Sequence, residues 1–310
     1  MIPQPGIFAL GTAAQCHLEL ELRPGADPVA LVRALANFDE PSATLGGANI
    51  VVGLRPSLWA RTGLENAYGD VADFLEPVVG PDGFTMPATQ RDVWLWISGA
   101  AQDVVFDVAT CALQSLAPLA SAVAEVTGWP YRRLRDLTGF IDGTENPSLG
   151  QAPVIVVVPD GEPGAGSTVV LVQQWAHQTA GWQALGSEAQ ERVIGRTKDE
   201  SIELDEAAMP PDSHVARTVV EENGKELKIF RRNMPYGGAT DHGTMFVGFC
   251  ARQRVLQLML ERMAGVGDGI RDALTRYATP LTGAYYIVPS VDTLRRWRDD
   301  DPERTETPLT

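Results

Sequence analysis

Three short segments of this 310-residue chain carry side chains able to move protons or hold a metal. Gly139-Phe140-Ile141-Asp142-Gly143-Thr144-Glu145-Asn146-Pro147 seats one carboxylate between an apolar pair and a glycine turn. Its Asp-Gly and Asn-Pro pairs mark an ordered loop. A buried acid on a stiff loop suits proton transfer; the competing reading is that Asp142 and Asn146 only hydrogen-bond their own turn. The second segment is Pro210-Pro211-Asp212-Ser213-His214-Val215-Ala216-Arg217, which puts a histidine on a rigidly introduced stretch beside hydroxyl and basic groups. In Phe230-Arg231-Arg232-Asn233-Met234-Pro235-Tyr236-Gly237 two cations leave an apolar strand. Strand neighbours point to opposite faces, so one arginine is expected inside and the other in solvent.

The other three histidines offer less. His17 lies within an alternating strand and His177 near a strand end, where packing explains them, and the turn-like Ala-Thr-Asp-His-Gly around His242 suggests exposure. Cys16, Cys111 and Cys250 lack CxxC or Cys/His spacing, so they read as buried reduced thiols. Strings for dinucleotide, nucleotide or serine-hydrolase sites (GxGxxG, P-loop, GxSxG) do not occur.

The elements that must position these groups follow from periodicity. Strands are expected at Cys16 to Leu22, Asn49 to Leu54, Asp92 to Ser98, Thr168 to Trp175, Leu227 to Phe230 and Gly243 to Cys250. Helices are expected at Asp27 to Ala36, Asp103 to Leu116 and Arg252 to Met263, and Ser187-Glu188-Ala189-Gln190 matches a capping box. Val93 to Ala100 and Met245 to Ala251 echo one another, each a strand running into a helix. The pattern predicts α+β architecture with two units, each an antiparallel sheet covered by helices on one face. The Gly- and Pro-rich passage from Pro147 to Gly166 marks the join, giving units of residues 1–147 and 148–310.

Hydrophobic residues make up 44% of the chain and charged residues 21%, the balance of a globular protein. No apolar run approaches the roughly 20 residues of a membrane helix. A net charge of −15 opposes nucleic-acid binding, which depends on cations neutralising phosphates. Met1 to Cys16 has no basic leader or sustained apolar stretch, so the expected compartment is the cytoplasm.

Together, and in this order, the three segments resemble the dye-decolorising peroxidase family, specifically its short B-type members. The resemblance extends through Gly195-Arg196-Thr197-Lys198 and the run from Leu281 to Ser290, and so over nearly the whole chain. It implies a pair of ferredoxin-like units, of the dimeric α+β barrel type, with one b-type haem per chain in the C-terminal half. His214 is then the axial ligand of the haem iron, with Asp272 as acceptor for its second nitrogen and Asp268 as the alternative. Asp142 becomes the distal proton shuttle, Arg231 stabilises negative charge as the O–O bond breaks, and Asn233 orients peroxide. Arg231 is preferred to Arg232 because family members carry Arg-x-Asn here. Arg196 is the expected partner of a haem propionate, and Glu145 and Asn146 are expected to hold the turn.

The implied reaction is two-electron reduction of H2O2 to water through an oxidised, high-valent haem intermediate, followed by one-electron oxidations of a dye, phenol or other reducing substrate. Aromatic residues near the surface could relay the hole, with Tyr285, Tyr286, Trp129 and Tyr131 as the candidates and ordinary core packing as the competing reading. A haem-handling protein with incidental peroxidase activity, and a non-catalytic assembly module, are the alternatives. The family also implies a homo-oligomer, a dimer or larger. Some B-type relatives enter nanocompartments through a C-terminal tail, a role that the short acidic stretch from Asp299 to Thr310 argues against.

Overall fold

The computed structural model describes residues 1–38, 47–62, 71–132, 135–222 and 224–299. The tail beyond residue 299, on which the nanocompartment argument rests, lies outside them. The alternating stretches become strands β1 (Ala14–Leu22), β2 (Ala48–Leu54) and β3 (Val93–Gly99). Helix α1 (Pro28–Ala36) joins the first two; Asp27 caps it by accepting the amides of Val29 and Ala30. Helix α2 (Gln102–Leu116) leads into β4 (Ala120–Gly128). Then come β5 (Thr168–His177), β6 (Met234–Gly237), β7 (His242–Cys250), helix α3 (Gln253–Met263) and β8 (Ala284–Val288).

Hydrogen-bonded neighbours run β7-β6-β4-β1-β3-β2-β8-β5, and β5 pairs with β7, so eight antiparallel strands close into a barrel within an α+β fold. Short strands at Phe230–Arg231 and Ala278–Pro280 extend the ladders of β7 and β5. Two seams are thin. β4 meets β6 through Tyr236 and Gly128 alone, and β2 meets β8 through Leu54 and Ile287 alone. At the second seam the Gln4 side chain takes over the ladder: its amide donates to Val52 O and Pro289 O, both at 3.0 Å, and accepts from Val52 N at 2.8 Å.

Alternation divides the apolar residues into two cores. Outward side chains of β1 and β3 (Leu18, Leu20, Leu95, Ile97) pack beneath Leu31 and Leu35 of α1 and Val105 and Leu116 of α2. Inward side chains fill the barrel with Trp94, Trp96, Val170, Val172, Phe249 and Tyr286. Each such fully buried large side chain contributes about 1.5–3 kcal/mol. Among the described residues no helix is long and apolar enough to cross a membrane.

Several expectations change. The strand expected at Leu227 to Phe230 is two pieces, Lys225–Leu227 and Phe230–Arg231. Ser187 opens its helix as the first helical residue behind Gly186, and no side-chain cap forms, because Gln190 bonds Trp182 O and Lys198 instead. Strand β4 escaped notice because its Ala-Ser-Ala-Val-Ala opening is weak in β-formers. Cys111 is exposed on α2, while Cys16 and Cys250 are buried. Tyr285 and Tyr286 are fully buried, not near the surface. His242 is half-buried at the start of β7, its Nε2 at 2.5 Å from Thr179 Oγ1.

Candidate active site

A cavity of 340 Å3 opens on the outer face of β5 and β7, within the size range of small-molecule and cofactor sites. Its floor is Gln173, Trp175 and His177 from β5 with Thr244 and Phe246 from β7. These are the outward members of strands whose inward members, Val170, Val172 and Val247, fill the barrel. Asp142, His214, Arg231, Asn233 and Arg196 all line it. Asp142 and His214, and with them the Arg231, Asn233 and Arg196 that the family resemblance implies, thus share one cavity, although 89 positions separate Asp142 from Arg231.

His214 is the first residue of the short helix His214–Thr218, whose N-cap Ser213 accepts from Ala216 N at 3.3 Å. Gly195 brings the preceding helix up against it. At φ +94° the chain turns left-handed there, and a Cβ would sit 2.8 Å from Met209 Sδ and 3.0 Å from Val215 Cβ, so only glycine fits. The His214 Nδ1 donates to Asp272 Oδ2 at 2.7 Å. Asp272 is fully buried, and its other oxygen accepts from Leu274 N at 2.9 Å, which fixes the carboxylate. This leaves His214 Nε2 as the lone-pair donor. Asp268 has a different partner: it forms a bidentate pair with Arg217 at 2.8 and 3.0 Å.

On the Asp142 loop, Asn146 does more than hold its own turn. Its side-chain amide donates to Arg231 O and accepts from Arg231 N, each at 2.8 Å, docking the loop onto the Phe230–Arg231 strand. Asn233 accepts from Val247 N at 3.2 Å, which aims its NH2 group at Asp142 Oδ1, 3.3 Å away. Among the described residues the Arg231 Nε is buried without a protein partner, as is the Gln173 Nε2. Such orphaned donors in a cavity are poised for a ligand. Arg232, expected in solvent, is buried on the other face of the strand. Its guanidinium lies 5.0 Å from the Trp96 ring centroid and donates to Ile7 O and Ala9 O, because this strand belongs to a closed barrel and has no solvent side.

Arg196 is only 8% exposed, and its Nη2 is shared between Glu145 at 2.5 Å and Glu203 at 2.8 Å. Glu145 thus holds Arg196 across the cavity wall, a role beyond its own turn. Asp136 was missed. It lines the cavity and accepts from the Thr138 amide and hydroxyl. Burial pushes its pKa up to about 6, with Asp142 adding to the rise and Thr138 opposing it. The Asp-x-Thr spacing, an Asx-turn signature, was the available signal. His177 also faces the cavity, with Nε2 3.2 Å from Thr244 Oγ1, and burial lowers its pKa to about 4.

Two family models match the chain in succession: the N-terminal part of the Dyp-type peroxidases over residues 13–130 and the C-terminal part over residues 133–293. A dye-decolorizing peroxidase of Rhodococcus erythropolis is 36% identical over 99% of this chain and 91% of its own length. One from Mycobacterium tuberculosis is 38% identical over 85% of this chain and 78% of its own. Among solved structures, DyPB from Rhodococcus jostii superposes with a TM-score of 0.85 at 33% identity, covering 94% of this chain and 97% of that one. A variant of the same protein, solved in complex with heme, gives a TM-score of 0.82 at 32% identity over 93% and 97% of the two chains. With both models matched in order and relatives alike over their length, this chain belongs to the DyP-type, or dye-decolorising, peroxidase family.

Proposed function

We propose that the cavity binds one b-type haem and that the protein reduces hydrogen peroxide to water while oxidising dyes, phenols or similar one-electron donors. The observation that carries this reading is a single cavity lined both by a histidine braced by a buried carboxylate and by an acid, an amide and an arginine with an unpaired donor. The residues fit haem. Ile141, Val215, Phe246, Met259, Met263 and Leu274 supply apolar walls for a flat macrocycle, and His214 Nε2 is free for iron.

Bound haem would supply the redox chemistry, taking peroxide at iron and exchanging electrons with the donor. His214 would hold the iron, and Asp272, by accepting the Nδ1 proton, would keep the ring oriented and increase its donation. Asp142 would carry a proton from the inner to the outer peroxide oxygen, held in place by Asn233, which also orients the peroxide. Arg231 would stabilise the negative charge that develops as the O–O bond breaks. Arg196 would take a propionate in exchange for Glu145 or Glu203, since three carboxylates around one guanidinium repel each other. A haem carrier needs His214 but has no use for an acid set beside an amide and a cation, so the Asp142, Asn233 and Arg231 group favours the peroxidase.

The wider organisation follows the same reading. Two ferredoxin-like units, residues 1–147 and 148–310, are supported by the strand orders β4-β1-β3-β2 and β8-β5-β7-β6, which repeat one topology in the two halves. Unpaired cysteines favour a reducing, cytoplasmic compartment, and a homo-oligomer is proposed from family membership. The test is optical: haem-loaded protein should shift its Soret band on adding H2O2 and oxidise a dye in a peroxide-dependent manner. Absence of both would overturn the proposal.

A further inference from the structure

We propose that Tyr286 and Glu19, inside the barrel, form a proton-coupled redox pair that takes up oxidising equivalents when no external donor is available. This rests on the peroxidase reading, which supplies the oxidant. The Tyr286 hydroxyl donates to Glu19 Oε1 at 2.5 Å, and its ring stacks on Trp94 at 6.2 Å between centroids and 17° between planes. Trp94 stacks in turn on Trp96 at 6.0 Å, and His17 lies against both indoles at 5.9 and 6.0 Å. The strand between those of Trp94 and Tyr286, β2, makes room. A Cβ on Gly53 would lie 2.9 Å from Tyr286 Cβ and 3.1 Å from Trp94 Cε3, so any other residue there would force the two rings apart.

A core selected for stability alone would not look like this. Trp94 Nε1 and both His17 nitrogens are buried without a partner, which costs stability that aliphatic residues would keep. The array also lies close to the cavity. Arg231 and Asn233 face the cavity while Arg232, between them, lies over Trp96. Val170, opposite Tyr286 and Phe249, sits on β5 three residues before Gln173 of the cavity floor. The two sites therefore lie on opposite faces of one sheet.

The electrostatics decide where a hole rests. The Arg232 cation over Trp96 opposes a positive charge remaining on that ring. Tyr286 can be oxidised without net charge. One electron would leave its ring through Trp94 and Trp96 to a haem that peroxide has oxidised, the phenolic O–H bond breaks, and the proton passes to the Glu19 carboxylate. A neutral tyrosyl radical and a neutral Glu19 result; an external donor later returns the electron and Glu19 the proton. Burial raises the Glu19 pKa, against smaller opposing effects of Tyr286 and Arg91, which makes it the better proton acceptor.

The experiment mixes holoenzyme with one equivalent of H2O2 in the absence of donor and records freeze-quench electron paramagnetic resonance. A tyrosyl radical is expected, lost in Tyr286→Phe while haem content and Soret response persist. Glu19→Gln keeps an acceptor oxygen but cannot take the proton, so radical formation should slow by about tenfold or more. Both variants should be inactivated by fewer peroxide turnovers. A radical undiminished in Tyr286→Phe, or one abolished by Tyr131→Phe instead, overturns the proposal. So does formation at the unaltered rate in Glu19→Gln. Normal optical response with no protein radical defeats this inference alone, whereas no optical response at all defeats the peroxidase reading beneath it.

Discussion

The two halves of the barrel share a strand order but treat their outer faces differently. On the N-terminal half, Leu18, Leu20, Leu95 and Ile97 are sealed beneath two helices, of which α2 runs 15 residues. On the C-terminal half α3 covers only Val169 and Leu171; the rest of that surface, Gln173, Trp175, His177 and Thr244, is roofed by pieces as short as the five-residue His214 helix. A long amphipathic helix buries its face without gaps. Short segments joined by turns leave space, and they present side chains and orphaned donors to it. One topology thus serves as solid support on one side and as a site on the other.

The difference predicts how substitutions divide. His214→Ala should remove haem retention altogether, measured as the Soret-to-protein absorbance ratio after purification. Asp142→Ala and Arg231→Ala should retain haem and slow reaction with peroxide by about 10²–10⁴-fold, followed by stopped-flow absorbance; rates equal to the unaltered protein in both would remove their assigned roles. Leu95→Ala, on the sealed side, should cost about 2–5 kcal/mol in denaturant unfolding while haem affinity of the folded fraction stays constant. Asp272→Asn should weaken haem affinity by about 10–100-fold through a misoriented His214, with little change in the fold.

A last difference concerns acid, to which the packed barrel interior responds through a single buried imidazole. Burial holds His17 down to about 3, against an ordinary 6.5. The unfolded chain therefore binds the extra proton first, and stability falls as pH drops from 6.5 toward 3, by about 1.4 kcal/mol per unit in the steep part. His17→Phe should flatten that stretch of the stability curve, measured by chemical denaturation at a series of pH values. An unchanged slope would mean that His17 gains a partner or solvent as the pH falls.

The site was legible where chemistry sits in contiguous motifs. Asp142, His214, Arg231 and Asn233 stand in local strings, and the cavity gathers them; the preference for Arg231 over Arg232 and for Asp272 over Asp268 rests on the family resemblance of those strings. What stayed hidden depends on closure of the barrel. Alternation predicts that Arg231 and Arg232 face opposite ways, but only the ring of eight strands turns the second face into an interior. The Asn146 bond to the Arg231 backbone joins segments 85 residues apart, and no local pattern encodes it. The protein partners of Arg196 were hidden too, because they come from the Asp142 loop and from Glu203, which no motif brings together.

The Gln4 bridge sets a timetable for synthesis. Its amide reaches Pro289 O across 285 residues, so this seam has no partner strand until β8 and Pro289 have left the ribosome. Before then, only the Gln4 side chain, on Val52 N and O, covers the edge of β2 against pairing with neighbouring nascent chains. Gln4→Ala should therefore show itself less in the finished protein than in its yield: more aggregate during expression, relieved by slower translation or lower temperature, with the soluble fraction behaving normally.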